Sequence, residues 1–212
     1  MDLKQSTSQG FVLDPKKEQR EFLNPDEILE EVGLTGQMSF ADFGCGAGYF
    51  TIPAAKMVGD HGHIYAVDVL KDVLEDIRGK AKVEGLRNIK TIWADLEIPG
   101  STKLPDHSVD MVFLSHVFYQ SDKHSPILAE AARVVKPEGK IVLIEWRRVE
   151  APFGPPLEAR VSKKESIALA GEVGLHVDSE FKAGSYHYGL ILKPGLVADA
   201  KPKVQKPTIK YE

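Results

Sequence analysis

Apolar residues along this chain switch repeatedly between short continuous runs and stripes at helical spacing, and the alternation predicts the elements in order. Residues 38–43 form a mostly apolar run that reads as a buried strand. It leads into Gly44-Cys45-Gly46-Ala47-Gly48, after which Tyr49 to Val58 has helical spacing and stops at Gly59. Ile64 to Val67 is a second strand. Leu70, Val73, Leu74, Ile77 and Ala81 recur at the period of a helix ending near Gly85, and Ile89 to Trp93 makes a third strand. Val109 to Leu114 is a fourth. Ile127, Leu128, Ala131, Val134 and Val135 mark one face of a helix closed by Pro137-Glu138-Gly139, and Lys140 to Trp146 follows as a fifth strand.

The ends of the chain add smaller signals. Asn24-Pro25-Asp26-Glu27 offers a cap, a first-turn proline and two acids ahead of Ile28, Leu29 and Val32, which predicts a short helix stopping at Gly33. Ser162-Lys163-Lys164-Glu165 is a capping box, followed by the apolar stripe Ile167, Ala170 and Val173 and a stop at Gly174. The runs Leu175 to Phe181 and Tyr186 to Leu192 are separated by only four residues, too few for a crossover helix, so they form an antiparallel hairpin.

Repeated strand and helix alternation requires a parallel sheet covered on both faces, with right-handed crossovers. Ligands then sit at the carboxyl ends of the strands, where strand order reverses. That rule selects Gly44 to Gly48, Asp68, Ala94-Asp95-Leu96, Ser115-His116 and Glu145-Trp146 as the residues able to share a site, with Ser185 to His187 reaching the same edge from the reversed strand.

Composition narrows the picture. The 212 residues, 42% hydrophobic and 27% charged, suffice for one core, and residues 1–196 are expected to form one domain. A formal charge of −4 does not favour a nucleic-acid partner. The single cysteine, Cys45, excludes an intrachain disulfide and a cysteine-cluster metal site, and fits a reducing, cytoplasmic setting. No stretch has the length of a membrane span, so a soluble protein is expected. Residues 197–212, rich in lysine and proline, are expected to be an extended or disordered tail. No metal site is expected, since the seven histidines lack helical ligand spacing.

The glycines at 44, 46 and 48 permit a tight turn and close approach to a ligand, and the following helix offers amide donors. A dinucleotide fingerprint would place its third glycine one residue later, at Tyr49, which lowers that reading. Asp68 and Asp95 close the next two strands. Ala41 to Gly48, with Asp68 and Ala94-Asp95-Leu96, resembles the class I S-adenosylmethionine-dependent methyltransferases. Leu104-Pro105-Asp106-His107-Ser108-Val109-Asp110 and Glu130 to Gly139 resemble the branch of the ubiquinone/menaquinone and arsenite methyltransferases, although arsenite chemistry in that family needs several cysteines.

The resemblance implies a Rossmann-like α/β fold: a mostly parallel seven-stranded sheet with helices on both faces and an antiparallel C-terminal hairpin strand. It implies an enzyme using S-adenosyl-L-methionine. Asp42, Gly44, Cys45, Gly46, Ala47 and Gly48 would hold the methionine end, Asp68 and Val69 the ribose side, and Ala94, Asp95 and Leu96 the adenine, with Ser115 completing the set. Ser115-His116-Val117-Phe118, after the fourth strand, is not the Asn/Asp-Pro-Pro-Tyr of enzymes that methylate planar nitrogens, which favours a small-molecule acceptor over the alternative of RNA or protein methylation. A non-catalytic S-adenosylmethionine-binding module is a further alternative. His116, Tyr119 and Glu145 are the expected catalytic residues, His116 as a base titrating near neutrality. With Trp146, Tyr186 and His187 they are expected to face one cleft. Residues 150–160 read either as a lid or as an ordinary rigid loop.

Overall fold

The computed structural model describes residues 23–195. In chain order these form α1 (Pro25–Glu31), β1 (Ser39–Phe43), α2 (Thr51–Val58), β2 (His63–Asp68), α3 (Lys71–Val83), β3 (Ile89–Trp93) and β4 (Val109–Ser115). They continue with α4 (His124–Val134), β5 (Val135–Trp146), α5 (Lys163–Glu172), β6 (Leu175–Phe181) and β7 (His187–Pro194). The seven strands lie in the order β3-β2-β1-β4-β5-β7-β6, and only β7 runs against its neighbours. The expected α/β architecture is therefore present. The direction of strand order changes between β1 and β4, which places a switch-point crevice at their carboxyl ends. The tail expected at 197–212 lies outside the described residues. No described helix is long and apolar enough to cross a membrane.

Strand alternation sorts the side chains into cores on the two faces. Ala41, Phe43, Val112, Leu114, Ile141 and Leu143 pack with Ile127 and Leu128 of α4 and Ala170 of α5. Phe40, Ile64, Met111, Phe113, Val142 and Ile144 pack on the other face with Ile28 and Leu29 of α1 and Ala54, Ala55 and Val58 of α2. Leu74 and Ile77 of α3 join Ala66 and Cys45.

Most element ends differ by a residue or two from those read in the sequence, and two of the differences have a local cause. Helix α2 starts at Thr51 rather than Tyr49, because Gly48, at φ +82°, still belongs to the loop. Strand β5 begins directly after α4 rather than at Lys140: Val135 pairs with Val109, and the next pair is Lys140 with Met111. The predicted turn at 137–139 is thus a bulge inside the strand. A Cβ on Gly139 would lie 2.7 Å from the Asp110 carbonyl, whereas Glu138 is exposed and unconstrained.

The capping box forms as predicted, with the Glu165 amide donating to Ser162 Oγ at 3.3 Å and the Ser162 amide to Glu165 Oε2 at 2.7 Å. Ser162→Ala should lower the unfolding free energy by about 1 kcal/mol, measured by chemical denaturation.

A polar network ties α4 to the chain ahead of β4. Glu130, buried, accepts from the Gly100 amide at 2.9 Å, Thr102 Oγ1 at 2.5 Å and Arg133 Nη2 at 2.7 Å. Arg133 also donates to the Leu104 carbonyl at 2.7 Å and to Asp106 at 2.6 Å. Burial pulls the Glu130 carboxyl upward, but the hydrogen bonds from Arg133, Thr102 and Gly100 outweigh it and bring its pKa down to about 2.

Candidate functional site

The loop after β1 takes its shape from glycine. Gly44, Gly46 and Gly48 have φ of +74°, +46° and +82°, which residues with a Cβ rarely adopt. At Gly44 a Cβ would also meet Val117 Cγ2 at 2.8 Å, so the turn after β4 closes on the loop. At Gly46 nothing lies within 4 Å of where a Cβ would be, leaving that face of the loop open to a ligand. Asp68 ties the loop to β2: its Oδ2 accepts from the Gly46 amide at 3.0 Å and its Oδ1 from the Leu70 amide at 2.9 Å.

Asp42 lies beneath the loop, buried, accepting from Thr51 Oγ1 at 2.5 Å. Burial, aided by the nearby Asp68 charge and opposed by Thr51, raises its pKa to about 7. Burial, with the Asp42 and Asp68 charges, pushes the Cys45 thiol upward, which disfavours the thiolate at neutral pH. Ala94 and Leu96 are buried at the end of β3, and Asp95 Oδ1 accepts from the Glu97 amide at 2.9 Å, capping its own turn. Around these polar groups Tyr49, Val69, Leu70 and Trp93 are each more than half exposed. Their apolar surfaces, beside two carboxylates and a glycine cradle, suit a ligand with both an aromatic ring and polar hydroxyl and ammonium groups.

A second group of residues gathers at the ends of β4 and β5. His116 takes a left-handed backbone, φ +60°, directly after β4, and its ring lies 5.2 Å from Trp146 and 4.6 Å from His187. Trp146 and His187 are 4.1 Å apart. Among the described residues six buried side-chain polar atoms lack a hydrogen-bond partner, and five of them belong to these strand ends: Ser115 Oγ, His116 Nε2, both ring nitrogens of His187 and, away from the rings, Glu145 Oε2. Folded proteins keep few such atoms, so their concentration marks a place built to meet polar groups from outside. The Ala183 carbonyl is near enough to favour a charged His187, but it makes no hydrogen bond of good geometry to either nitrogen. Burial lowers His116 to a pKa of about 4. It lowers His187 to about 3, with the neighbouring His116 contributing. Both imidazoles are neutral at pH 7, so His116 does not titrate near neutrality as expected.

The six residues grouped from the sequence are divided by the structure. His116, Trp146 and His187 are in ring contact, and Tyr186 joins them through Phe153, whose ring is 5.8 Å from Trp146 and 6.1 Å from Tyr186. Glu145 follows the opposite alternation of β5: its Oε1 accepts from the Phe118 amide at 2.7 Å, and burial raises it to about 8. Tyr119 feels that carboxylate and lines a separate 490 Å³ cleft with His124, Arg160 and Leu169.

Sequence reasoning missed Arg160. Buried, it donates to the carbonyls of Pro155 at 2.9 Å, Arg147 at 3.0 Å and Val149 at 2.7 Å, with its guanidinium 5.1 Å from the Trp146 ring. It anchors the loop over Trp146, which supports the rigid-loop reading of 150–160. A lone arginine in a loop carries no periodicity or motif by which to find it.

A methyltransferase domain family model matches residues 41–143. Aklanonic acid methyltransferase of Streptomyces sp. (strain C5) is 33% identical over 117 residues, covering 54% of this chain and 52% of that protein. Demethylmenaquinone methyltransferase of Geobacillus sp. (strain WCH70) is 34% identical over 121 residues, covering 57% and 50%. The chain thus spans about half the length of the curated relatives it matches. Among solved structures, a SAM dependent methyltransferase from Aquifex aeolicus superposes with a TM-score of 0.75 at 31% identity, over 84% of this chain and 93% of that one.

Proposed function

Because the chain belongs to the S-adenosylmethionine-dependent methyltransferases, we propose that it binds S-adenosylmethionine along the ends of β1, β2 and β3 and methylates a small-molecule acceptor at the ends of β4 and β5. One observation carries this reading: an open glycine loop with two carboxylates adjoins, across the switch point, a cluster of buried polar atoms without partners. The cofactor supplies an electrophilic methyl group on a sulfonium, and the protein's residues bind, orient and exclude water.

In this assignment the loop from Gly44 to Gly48 and Asp42 hold the methionine end, Asp68 and Val69 the ribose side, and Ala94, Asp95 and Leu96 the adenine. Ser115 sits between the cofactor and the acceptor. The ring cluster orients the acceptor, since holding a nucleophilic atom in line at roughly 3–3.5 Å can itself supply about 7–11 kcal/mol. His116, neutral and rigidly mounted, accepts a hydrogen bond or proton from the acceptor. Glu145 is protonated at neutral pH and holds the turn at Phe118, while Tyr119 borders the neighbouring cleft.

Asp68→Ala tests the cofactor half. Ribose hydroxyls would lose a charged acceptor and the Gly46 amide its anchor, so S-adenosylhomocysteine should bind about 1.5–3 kcal/mol more weakly by calorimetry. Unchanged affinity in a folded variant would remove the assignment. A second expectation concerns pH. An ammonium is attracted only by the ionised Asp42, whose pKa is about 7 in the free protein. Affinity should therefore fall as pH drops from 8 to 6, by up to about tenfold per unit below the pKa, and Asp42→Asn should flatten that dependence.

A further inference from the structure

A 660 Å³ cleft opens beside the ring cluster at the ends of β5 and β6 and the start of β7. Its charged lining is all of one sign: Arg147, Arg148, Lys163 and Lys182, with no carboxylate among the lining residues. Two of these cations are already neutralised, Arg148 by Glu165 at 3.4 Å and Lys163 by Glu180 at 2.6 Å. Arg147 and Lys182 pair with no carboxylate among the described residues, and Arg147 makes only a 3.2 Å hydrogen bond to the Ser185 carbonyl. In a chain of net charge −4, so concentrated a positive lining is selective for anions. His187 is the wall between the cleft and the ring cluster. It is 4% exposed, its nitrogens lack partners, and its ring touches both His116 and Trp146.

We propose that this cleft is the anion subsite of the acceptor-binding region, so that the acceptor is an aromatic compound bearing a carboxylate. Arg147 and Lys182 grip the carboxylate while the ring lies against Phe181 and His187. The inference rests on the methyl-transfer reading for the word acceptor, but not for the anion site itself. A carboxylate suits the lining: its two oxygens can accept from both unpaired cations at once, and a planar guanidinium such as that of Arg147 can give parallel donors to a carboxylate. The aromatic part follows from Phe181, His187 and Tyr188, whose rings line the cleft and give it apolar surface beside the cations. Anchoring after β5 and β6, two or more strands across the sheet from the loop after β1, would orient the acceptor without contacting the reacting atoms, making Arg147 and Lys182 specificity-determining residues.

The test compares 4-hydroxybenzoate with its neutral methyl ester, titrated by NMR into the full chain with and without S-adenosylhomocysteine. The acid should bind about tenfold more tightly than the ester, as expected for charge-assisted hydrogen bonds in a half-open site, with the largest shifts at His187 and Lys182. In the exposed double variant Arg147→Gln/Lys182→Gln that preference should vanish while S-adenosylhomocysteine affinity and the melting temperature hold. Equal binding of acid and ester, no binding of the acid, or a preference surviving in the double variant would overturn the subsite. A wild-type chain that fails to bind S-adenosylhomocysteine yet still prefers the acid would instead overturn the methyl-transfer reading and leave the anion site standing.

Discussion

Glu130→Ala should destabilise the protein by about 3–5 kcal/mol, the range for removing one partner of a buried ion pair. The carboxylate is 2% exposed and holds the Gly100 amide, Thr102 and Arg133 at once. The loss should lie toward the lower end, because the Arg133 side chain is 28% exposed and keeps Asp106 and the Leu104 carbonyl. The pH dependence has a definite sign. The folded pKa, about 2, lies below the ordinary 4.5, so Glu130 stabilises the fold fully above pH 4.5 and its contribution is lost as pH falls toward 2. Wild type and variant should therefore differ most near neutrality and converge in acid, as followed by denaturant unfolding at several pH values. A constant difference down to pH 2 would show that the loss comes from packing rather than charge.

His116→Ala should lower turnover by roughly 10²–10⁴-fold, the range for a positioned group that accepts a proton from the reacting atom. Cofactor affinity should barely change, since the side chain packs on Trp146 and His187 rather than on the glycine loop. The acceptor for this measurement comes from a screen of thiols, quinols, phenols and amines with labelled S-adenosylmethionine. Because burial holds His116 near a pKa of 4, the wild-type rate should show no histidine limb near 6.5. A limb at 6.5, or full activity of the variant on the true acceptor, would exclude the role. For an acceptor already ionised, such as a thiolate, the loss should shrink to the contribution of positioning alone.

The glycine-loop edge proposed for the cofactor was legible in the sequence as a structural feature because its determinants are local. Strand β1, the three glycines and the carboxylate ending β2 each announce themselves by type and spacing, and the right-handed crossover rule then brings them to one edge. The acceptor side was legible only to the level of the edge. His116, Trp146 and His187 were placed there correctly, but which face Glu145 takes depends on alternation in β5, whose start the bulge at 136–139 obscured. Nor does periodicity record burial. That His116 is neutral and Arg160 reaches three carbonyls follows from packing between elements far apart in the chain.

The position of β7 between β5 and β6 also sets an order of assembly. The four strands around the glycine loop, β1 to β4, are complete by Ser115, whereas β5 waits for residues 187–194 to supply its outer neighbour. Until residues 187–194 are in place β5 is an open edge, exposing the unpaired backbone of an apolar strand. Such an edge is a template for wrong pairing. His187 opens β7, so the ring cluster is the last part of the site to close.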